Sequence, residues 1–437
     1  MPRRIVSSTS QPGCRARSAA ICCRPDDVTA LWHPFADMAA VAGSEVVIAR
    51  GEGVHVWDEG GTRYLDGASA LWYANAGHGR PEIRAAIERQ LGELDAFHTF
   101  GDLANRPALE LADRLAGLAP QPDSKVFLTS GGGDSIETAV KLARRFHSVS
   151  GAPGRSHVIS RTNGYHGTHG IGTSILGLPY REGFTPLVED TSRVAWDDLA
   201  ALEAEIERVG ADRVAAFVFE PVIGSGGVLV APDGYLSGVQ ELCRRHGILT
   251  IADVVIGGFG RLGDWLGVGR FGLEPDLIVF AKGVTSGVLP LGGAIVAPRV
   301  AEPFWSHPGG PIFEHGLTYS GHPVCCAAAL ANLDVLEQEG LIERTRTRER
   351  SFHDRLSRRL APHALVREVR GGIGLMAAVA LDAPERASQL QASARAHGLL
   401  TRWLPDGVAV APPLVISDAE IGELVDILAA ALDDVAG

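Results

Sequence analysis

Between residues 124 and 282, short apolar runs alternate with longer amphipathic segments, and this alternation constrains the fold more than any other feature. The apolar runs are SKVFLTS, SHVIS, VAAFVFE, GILTIAD and DLIVFAK. The amphipathic segments between them include DSIETAVKLARRFHSV, DLAALEAEIERVG and YLSGVQELCRRHG. Strands that are apolar along their whole length are typical of sheets covered by helices on both faces. We therefore predict an α/β fold built on a mostly parallel sheet.

The regions on either side of this core follow other patterns. Near residue 45, the stretch EVVIARGEGVHVWDEGGTRYLDG alternates apolar and polar residues between glycine-rich turns, as short strands do. After Pro323 a helical stretch leads to a terminal amphipathic segment, DAEIGELVDILAAALDDV. We predict that residues 81–325 form a large domain, and that residues 29–80 and 326–437 form a smaller α+β domain.

The first residues of the chain have an unusual composition. The stretch MPRRIVSSTSQPGCRARSAAICCR holds five arginines and no acidic residue, which resembles a transit peptide. It shows no amphipathic repeat and no apolar central region, however. We therefore expect residues 1–28 to be a disordered extension.

Charge and cysteine content exclude several classes of function. A net charge of −12 opposes binding to the phosphate backbone of nucleic acids, and no apolar run approaches the roughly 20 residues that span a bilayer. The six cysteines have neither zinc-site spacing nor a disulfide framework. These are Cys14, Cys22, Cys23, Cys243, Cys325 and Cys326. We predict a cytoplasmic protein with reduced thiols, no metal site, and neither nucleic-acid nor membrane partners.

Polar residues follow the apolar runs at the points where the strands are expected to end. Ser130 and three glycines follow SKVFLTS, while Glu220, Asp253 and Lys282 end the runs VAAFVFE, GILTIAD and DLIVFAK. Ligands of open parallel sheets bind beyond the carboxyl ends of the strands. We therefore expect these groups to meet at one edge of the sheet.

Each of these groups has two interpretations. The glycines, followed by a helix predicted from Asp134, either bind an anion through backbone N–H groups or form a plain tight turn. Asp253 either faces a protonated ring nitrogen, or caps a helix or pairs with Arg261. Lys282 either reaches solvent or lies buried, where it loses its proton more easily and can attack a carbonyl. As a set, they match the phosphate, ring nitrogen and aldehyde of pyridoxal 5′-phosphate.

Across residues 30–435 the chain resembles the class III aminotransferases, which are fold type I pyridoxal phosphate enzymes. The matching stretches are HPFADM, LWYANAGHG, SGGGDSIETAVKLAR, GYHGTHG, FEPVIGSGG, ADVVIGGFGR, FAKG and GLTYSGHP. The chain is most similar to the branch that moves amino groups from ω-amino acids or amines to pyruvate. The resemblance implies a seven-stranded sheet, a homodimer with shared active sites, and a ping-pong mechanism through a Lys282 Schiff base.

The resemblance also implies roles for individual residues around the cofactor ring. Lys282 would bind the aldehyde and carry the proton, and Asp253 would face the pyridine nitrogen. Tyr165 and Val255 would pack on opposite faces of the ring. Glu220 would support the ring oxygen and the substrate region.

Further roles implied by the resemblance concern the phosphate and the supporting residues. Gly132 and Gly133 would bind the phosphate through backbone N–H groups. Thr318 would reach the phosphate of the neighbouring subunit. His166, next to the ring-stacking tyrosine, would have a structural role or support the residues that contact the cofactor.

Three residues match substrate-binding positions of the family. Trp72 and Tyr73 match the aromatic wall of the substrate pocket, although ordinary core packing explains such residues equally well. Arg402, in a predicted loop TRWLPDG that would allow movement, matches an arginine that binds a substrate carboxylate and swings away for neutral amines. A guanidinium suits that role because its fork makes two parallel hydrogen bonds to a carboxylate. The alternative for Arg402 is a surface arginine in a loop.

The chain departs from the family pattern at three positions. Val254 stands where an acid usually follows the strand-end aspartate, Gly133 replaces a serine, and Ile136 replaces an asparagine. These departures leave the chemistry in place but affect the assignment to a subfamily. Two other functions stay open: an aminomutase, decarboxylase or racemase on the same fold, and a non-catalytic pyridoxal phosphate-binding relative.

Overall fold

A computed structural model describes residues 30–437 of the chain. By the pattern of contacts, the described residues divide into two units. One unit comprises residues 30–50 and 57–62, and the other comprises residues 51–56 and 63–437. The extension expected at residues 1–28 lies outside the described residues.

The helices of the described part are distributed along its whole length. They are α1 Met38–Val41, α2 Ser69–Trp72, α3 Pro81–Glu93, α4 Arg106–Ala116, α5 Gly132–Val149, α6 Gly170–Ile175, α7 Leu199–Val209, α8 Tyr235–His246, α9 Pro298–Trp305, α10 Pro323–Gln338, α11 Leu341–Leu360, α12 Ala387–Ala396 and α13 Asp418–Ala436. The short α2 is irregular, because Ala70 and Leu71 inside it have non-helical backbone angles. The segments predicted as helices correspond to α5, α7, α8, α10 and α13.

The strands alternate with these helices through the middle of the chain. They are β1 Ile48–Glu52, β2 His55–Asp58, β3 Arg63–Asp66, β4 Lys125–Thr129, β5 His157–Arg161, β6 Thr191–Val194, β7 Val214–Phe219, β8 Val222–Ile223, β9 Leu229–Val230, β10 Leu249–Asp253, β11 Leu277–Phe280, β12 Gly292–Val296, β13 Val366–Arg370, β14 Ala377–Leu381, β15 Leu399–Leu400, β16 Arg402–Leu404 and β17 Gly407–Val410. All five predicted apolar runs form strands.

The central sheet has seven strands in the order β4-β12-β11-β10-β7-β5-β6. Strand β12 runs antiparallel to both of its neighbours, and the other paired strands are parallel. The reason for the reversal is local. Only residues 281–291 separate β11 from β12, too few for the helical crossover that a parallel return requires. The predicted α/β fold with a mostly parallel seven-stranded sheet is confirmed.

Helices cover both faces of this sheet, which explains why its strands are apolar throughout. On one face, Ile136, Val140 and Ala143 of α5 are buried in one cluster with Val218 of β7 and Ile251 of β10. On the other face, residues of α7, α8 and α10 join a larger core. The apolar side of α5 therefore packs onto the sheet.

A second sheet lies in the C-terminal part of the chain. It is antiparallel, with the order β13-β14-β17-β16. Strand β15 is not part of this sheet. It pairs in parallel with β3, so Leu399 lies beside Leu65. A parallel pair between strands so distant in sequence joins the C-terminal part of the chain to the segment before residue 80.

Candidate active site

A cavity of about 180 Å³ lies at the carboxyl ends of β7, β10 and β11 and at the start of α5. Its lining contains one amine, two carboxylates, one imidazole and one phenol. The lining residues are Gly132, Gly133, Tyr165, His166, Gly167, Glu220, Asp253, Val255, Ile256 and Lys282. Glu220, Asp253, Lys282 and two of the three predicted glycines are therefore brought together, whereas Ser130 and Gly131 are not among the lining residues.

Lys282 lies two residues after the end of the fully buried strand β11. Its backbone is left-handed, with φ of 50°, and it begins a single 3-10 turn. The buried side chain of Asn332 fixes this turn by donating to the carbonyl oxygens of Gly283 and Val284, both at 2.9 Å. Burial lowers the pKa of Lys282 to about 8, although Asp253 and Glu220 oppose the shift. Burial thus makes the neutral amine, the form that attacks a carbonyl carbon, more accessible than in an exposed lysine.

Asp253 is 5% exposed and held by two partners. Its Oδ1 accepts a hydrogen bond from the backbone N–H of Val255 at 3.0 Å, and its Oδ2 lies 2.8 Å from Nδ1 of His166. The alternative pairing with Arg261 is wrong, because that guanidinium donates instead to the carbonyl oxygens of Leu375 and Pro412. Asp253 is therefore oriented within the cavity.

His166 is buried and contributes an unsatisfied polar atom to the site. Its Nε2 has no hydrogen-bond partner in the described structure, while Nδ1 faces Asp253. A buried polar atom without a partner costs free energy, and such atoms recur at binding and catalytic sites. The histidine predicted to support the cofactor site is thus in direct contact with the carboxylate.

Glu220 fixes the shape of the cavity through its backbone partners. Its Oε1 accepts from the N–H of Tyr165 at 3.0 Å and its Oε2 from the N–H of Gly224 at 2.9 Å. Burial raises the pKa of Glu220; His166 opposes that shift and the charge of Asp253 adds to it. The carboxyl group holds the turn that carries Tyr165 against the end of β7.

Helix α5 begins at Gly132, two residues before the predicted start at Asp134. Gly132 and Gly133 therefore lie in its first turn, where backbone N–H groups have no partner within the helix. A side chain at Gly132 would crowd the cavity, because a Cβ atom there would lie 3.1 Å from Cγ1 of Val255. The glycines thus bring an anion-binding helix terminus close to the cavity.

The lining fits pyridoxal phosphate in each of its parts. Gly132 and Gly133 offer N–H groups for the phosphate, Asp253 offers a carboxylate for the ring nitrogen, and Lys282 offers an amine for the aldehyde. The unpartnered Nε2 of His166 lies among these groups. The alternative interpretation of the glycines, a plain tight turn, does not account for the amine, carboxylate and imidazole that lie beside them.

The three predicted substrate residues lie outside the residues that line this cavity. Trp72 is 2% exposed and lies in an apolar cluster with Ile256. The ring of Tyr73 packs closely on Gly287, where a Cβ atom would lie 2.0 Å from Cδ2 of the tyrosine. The roles of both aromatic residues in a substrate wall stay predictions.

Arg402 differs from the prediction in its backbone. We predicted a loop, but Arg402 is the first residue of strand β16 and pairs with Ala409 of β17. The loop assignment is wrong because only Pro405 and Asp406 separate β16 from β17, and the glycine of TRWLPDG is the first residue of β17. Its side chain, half-buried, is close enough to influence the pKa values of Tyr165 and Lys282.

Thr318 does not line the cavity of its own chain. It is exposed, in the stretch between α9 and α10. Nearby residues line a second, larger cavity of about 900 Å³, among them the exposed Phe100, Leu103, Leu109 and Ile312. The predicted contact of Thr318 with a neighbouring subunit would therefore be made from a part of the surface that is exposed in the single chain.

Sequence reasoning missed two lining residues and a neighbour of the site. Ile256 and Gly167 line the cavity, and the ionisable side chain of Tyr180 lies near enough to influence Tyr165. Burial raises the pKa of Tyr165, and Tyr180 adds to this shift. Ile256 and Gly167 adjoin predicted residues in sequence, so that adjacency was the available signal. No pattern in the sequence indicated Tyr180.

Comparison with known proteins assigns the family. The aminotransferase class-III family model matches residues 38–432. The putrescine–pyruvate aminotransferase of Pseudomonas aeruginosa is 36% identical over 418 residues, covering 89% of this chain and 91% of that protein. The omega-aminotransferase of Caulobacter vibrioides is 33% identical, covering 94% of this chain and 98% of that protein.

Solved structures agree with these relatives. The thermostable (S)-enantioselective omega-transaminase of Thermomicrobium roseum superimposes with a TM-score of 0.89 at 41% identity, covering 93% of this chain and 96% of that one. An amine transaminase from an uncultivated Pseudomonas species, in its pyridoxal phosphate-bound form, gives a TM-score of 0.89 at 37% identity. It covers 93% of this chain and 99% of the other.

The protein is therefore a pyridoxal phosphate-dependent enzyme of fold type I. Within that class, the chain belongs to the class-III aminotransferase family, and it transfers amino groups from an amine donor to a keto acid. The predicted family, fold and cofactor are confirmed. The relatives named above are all aminotransferases, so the alternative reaction types gain no support. None of the helices in residues 30–437 is long and apolar enough to cross a membrane.

Proposed function

We propose that this aminotransferase moves an amino group from an amine or ω-amino acid to a keto acid such as pyruvate. Transfer occurs by a ping-pong mechanism in two half-reactions, with Lys282 as the catalytic lysine. The observation that carries the proposal is the meeting of Lys282 and Asp253 in one cavity beside the glycine start of α5. The relative from Pseudomonas aeruginosa, named for putrescine and pyruvate, supports the substrate class.

When bound, pyridoxal phosphate supplies an aldehyde that exchanges amines and a ring that accepts the electrons released at the substrate carbon. Lys282 carries the proton at its Nζ atom, which must be neutral to accept one. The lowered pKa of Lys282, about 8, makes this form accessible near physiological pH. Lys282 would therefore serve both as the amine that binds the aldehyde and as the base that moves the proton.

Asp253 holds the positive charge of the ring nitrogen. His166 and the N–H of Val255 fix the two carboxylate oxygens, so the group is oriented before any ligand enters. Tyr165 and Val255, both in the lining, would cover the two faces of the ring. Glu220 supports the ring oxygen and fixes the turn carrying Tyr165.

A half-reaction experiment tests the proposed function. With an amine donor alone, the purified protein should release one equivalent of carbonyl product per active site and then stop. Addition of pyruvate should restart turnover and release alanine. Continued turnover with the donor alone would instead indicate a mutase, decarboxylase or racemase. A panel of amines and ω-amino acids, each with pyruvate and 2-oxoglutarate, identifies the preferred pair.

We further propose that Arg402 binds the carboxylate of the keto acid. Its guanidinium affects both Tyr165 and Lys282 electrostatically, and no hydrogen bond or salt bridge engages it within the described residues. Because its backbone is fixed in β16, the side chain alone must move when a neutral amine enters. Arg402 can therefore bind the carboxylate of a keto acid and move its side chain aside when a neutral amine enters.

Arg402→Ala should raise the KM for pyruvate about ten- to a hundredfold, since loss of a charge-assisted hydrogen-bonded pair costs about 1.5–3 kcal/mol. The KM for a neutral amine donor should change little, because that donor has no carboxylate to bind. Steady-state kinetics with each substrate varied in turn measures both values. Arg395→Ala, an exposed arginine on α12, is the control. Equal effects on both substrates would show that Arg402 has a structural role.

The active unit is, on this proposal, a cytoplasmic homodimer. The cavity lined by Phe100, Leu103 and Ile312 offers an apolar surface of the kind that marks protein interfaces. Thr318 lies in the same exposed stretch and would reach the phosphate of the partner's cofactor. The three cysteines of the described part are free and buried, which supports a reducing compartment.

Thr318→Ala should weaken cofactor retention about tenfold while leaving the dimer intact, because one hydroxyl contact to the phosphate is lost. Sedimentation velocity measures the assembly, and dialysis followed by absorption spectroscopy measures the retained cofactor. Thr347→Ala is the control, since that hydroxyl bonds only to carbonyl oxygens of its own helix α11. A fully active monomer would contradict the shared site.

The division into domains is also a proposal. We propose that residues 81–325 form the cofactor-binding domain, and that residues 29–80 and 326–437 form the smaller one. All seven strands of the central sheet lie within 81–325, and the antiparallel sheet lies within 326–437. The pairing of β3 with β15 supports joining the two outer segments.

A further inference from the structure

His169 lies against the glycine loop at the start of α5. A Cβ atom on Gly133 would lie 3.0 Å from both Cε1 and Nδ1 of His169, and 3.2 Å from its Nε2. The two loops meet at their backbones as well, since a Cβ atom on Gly167 would lie 3.0 Å from Cα of Gly133. The imidazole therefore occupies the space that a side chain at position 133 would need.

The family resemblance implies a serine at position 133, where this chain has Gly133. Gly133 lines the cavity, and its backbone N–H lies in the first turn of α5, where an anion would bind. A serine hydroxyl lies one bond beyond Cβ, so the ring atoms of His169 reach the region that this hydroxyl would fill. The imidazole of His169 thus takes the place of the hydroxyl that a serine at position 133 would supply.

The surroundings of the ring leave one nitrogen available. Nδ1 of His169 lies 3.5 Å from Oδ1 of Asp134. Its Nε2 has no hydrogen-bond partner within residues 30–437, and the side chain is 52% exposed. An imidazole N–H can donate a charge-assisted hydrogen bond to a phosphate oxygen. The ring can therefore contact Asp134 with one nitrogen and an anion with the other.

We infer that His169 binds the phosphate of pyridoxal phosphate, in place of the serine hydroxyl that Gly133 lacks. The imidazole adds a side-chain donor to the backbone N–H groups of Gly132 and Gly133. It also explains why position 133 is glycine, since a larger residue there would displace the ring. The inference rests on the cofactor site proposed above.

Binding of cofactor by the cofactor-free protein tests this role without reference to activity. Equilibrium dialysis should show that His169→Ala weakens pyridoxal phosphate binding about 10- to 100-fold. Binding of pyridoxal, which lacks the phosphate, should stay within about twofold of wild type on the same reasoning. His397→Ala is the matched control, because His397 forms a similar contact with Asp434 on the C-terminal surface. It should change neither affinity.

A reciprocal variant separates contact from general structure. Gly133→Ser alone should weaken pyridoxal phosphate binding, because its Cβ and hydroxyl collide with the ring of His169. Gly133→Ser combined with His169→Ala should recover most of the lost affinity, since the serine then supplies the hydroxyl contact. Recovery of binding is a result that a merely structural histidine would not produce.

Several results would overturn the inference. If His169→Ala binds pyridoxal phosphate with unchanged affinity, the proposed contact does not exist. If the variant loses affinity for pyridoxal as much as for pyridoxal phosphate, the effect of the substitution is structural. If His169→Ala does not fold, Gly133→Ser alone decides, and wild-type affinity in that variant counts against the contact. Failure of the wild-type protein to bind pyridoxal phosphate would instead overturn the cofactor site itself.

Discussion

Lys282→Ala should reduce the transamination rate by about 10⁴-fold or more, because one residue provides both the nucleophile and the proton carrier. The variant should still fold and still bind pyridoxal phosphate, since the groups that hold the phosphate and the ring are untouched. Single-turnover kinetics with a fast amine donor measures the loss. An added small amine such as methylamine should restore part of the rate by acting as the missing base.

The small number of lysines in the chain makes the site of cofactor attachment easy to identify. The sequence contains three lysines, Lys125, Lys141 and Lys282. Borohydride reduction of the holoenzyme, followed by digestion and mass spectrometry, should therefore attach the cofactor to Lys282 alone. Lys141→Ala, at an exposed position of α5, is the matched control and should keep wild-type activity. Normal turnover in Lys282→Ala would show that the catalytic amine has been misassigned.

The lowered pKa of Lys282 also predicts a pH dependence of stability in the cofactor-free protein. The folded pKa, about 8, lies below the ordinary lysine pKa of 10.5, so the unfolded chain binds more protons between these two values. The free energy of unfolding should therefore rise with pH across this window, relative to the Lys282→Ala variant. Chemical denaturation of both proteins at pH 7.5 and pH 10, for example, measures the difference. A constant difference would mean that burial does not perturb the lysine.

Asp253→Asn should lower kcat by about 10³-fold, which corresponds to about 4 kcal/mol of lost transition-state stabilisation. A neutral amide cannot hold the ring nitrogen in its protonated form, so the ring accepts electrons poorly. The amide should keep the hydrogen bond to the N–H of Val255, so the fold should persist. Rates should be measured with saturating pyridoxal phosphate, so that weaker cofactor binding does not contribute.

Asp276→Asn is the matched control for this variant. Asp276 is also 5% exposed and also accepts a backbone hydrogen bond, from Thr250 at 2.8 Å, but it lies at the amino end of β11. Its replacement should lower the melting temperature while leaving kcat close to wild type. Wild-type rates in Asp253→Asn, or equal losses of activity in the two variants, would show that the carboxylate at position 253 is merely structural.

Much of the site was predictable because it follows from where strands end. Asp253 and Lys282 end runs that are apolar along their length, and the carboxyl ends of parallel strands meet at one edge. The pattern therefore predicted both that these side chains are neighbours and that a ligand binds between them. The helix start was missed by two residues, because a glycine run carries no preference that fixes where helical geometry begins.

Other features had no local signal. Arg402 was assigned to a loop from its proline and glycine neighbours, but the pairing of β16 with β17 decides its backbone conformation. The contact between His166 and Asp253 joins residues 87 positions apart. Local propensity and periodicity report which face of an element is apolar, and they do not report which distant side chain meets it.

The sequence by itself determined the class of fold and the chemical groups of the site. Fully apolar strands between amphipathic helices require a sheet covered on both faces, and the residues that follow those strands must lie at its edge. Only the tertiary structure decided how those groups are held and what lies beside them. The orientation of Asp253 by His166 and the seating of His169 on Gly133 depend on packing between loops from different strands. Such contacts form only when long-range packing brings the loops together, because no short stretch of the chain contains both partners.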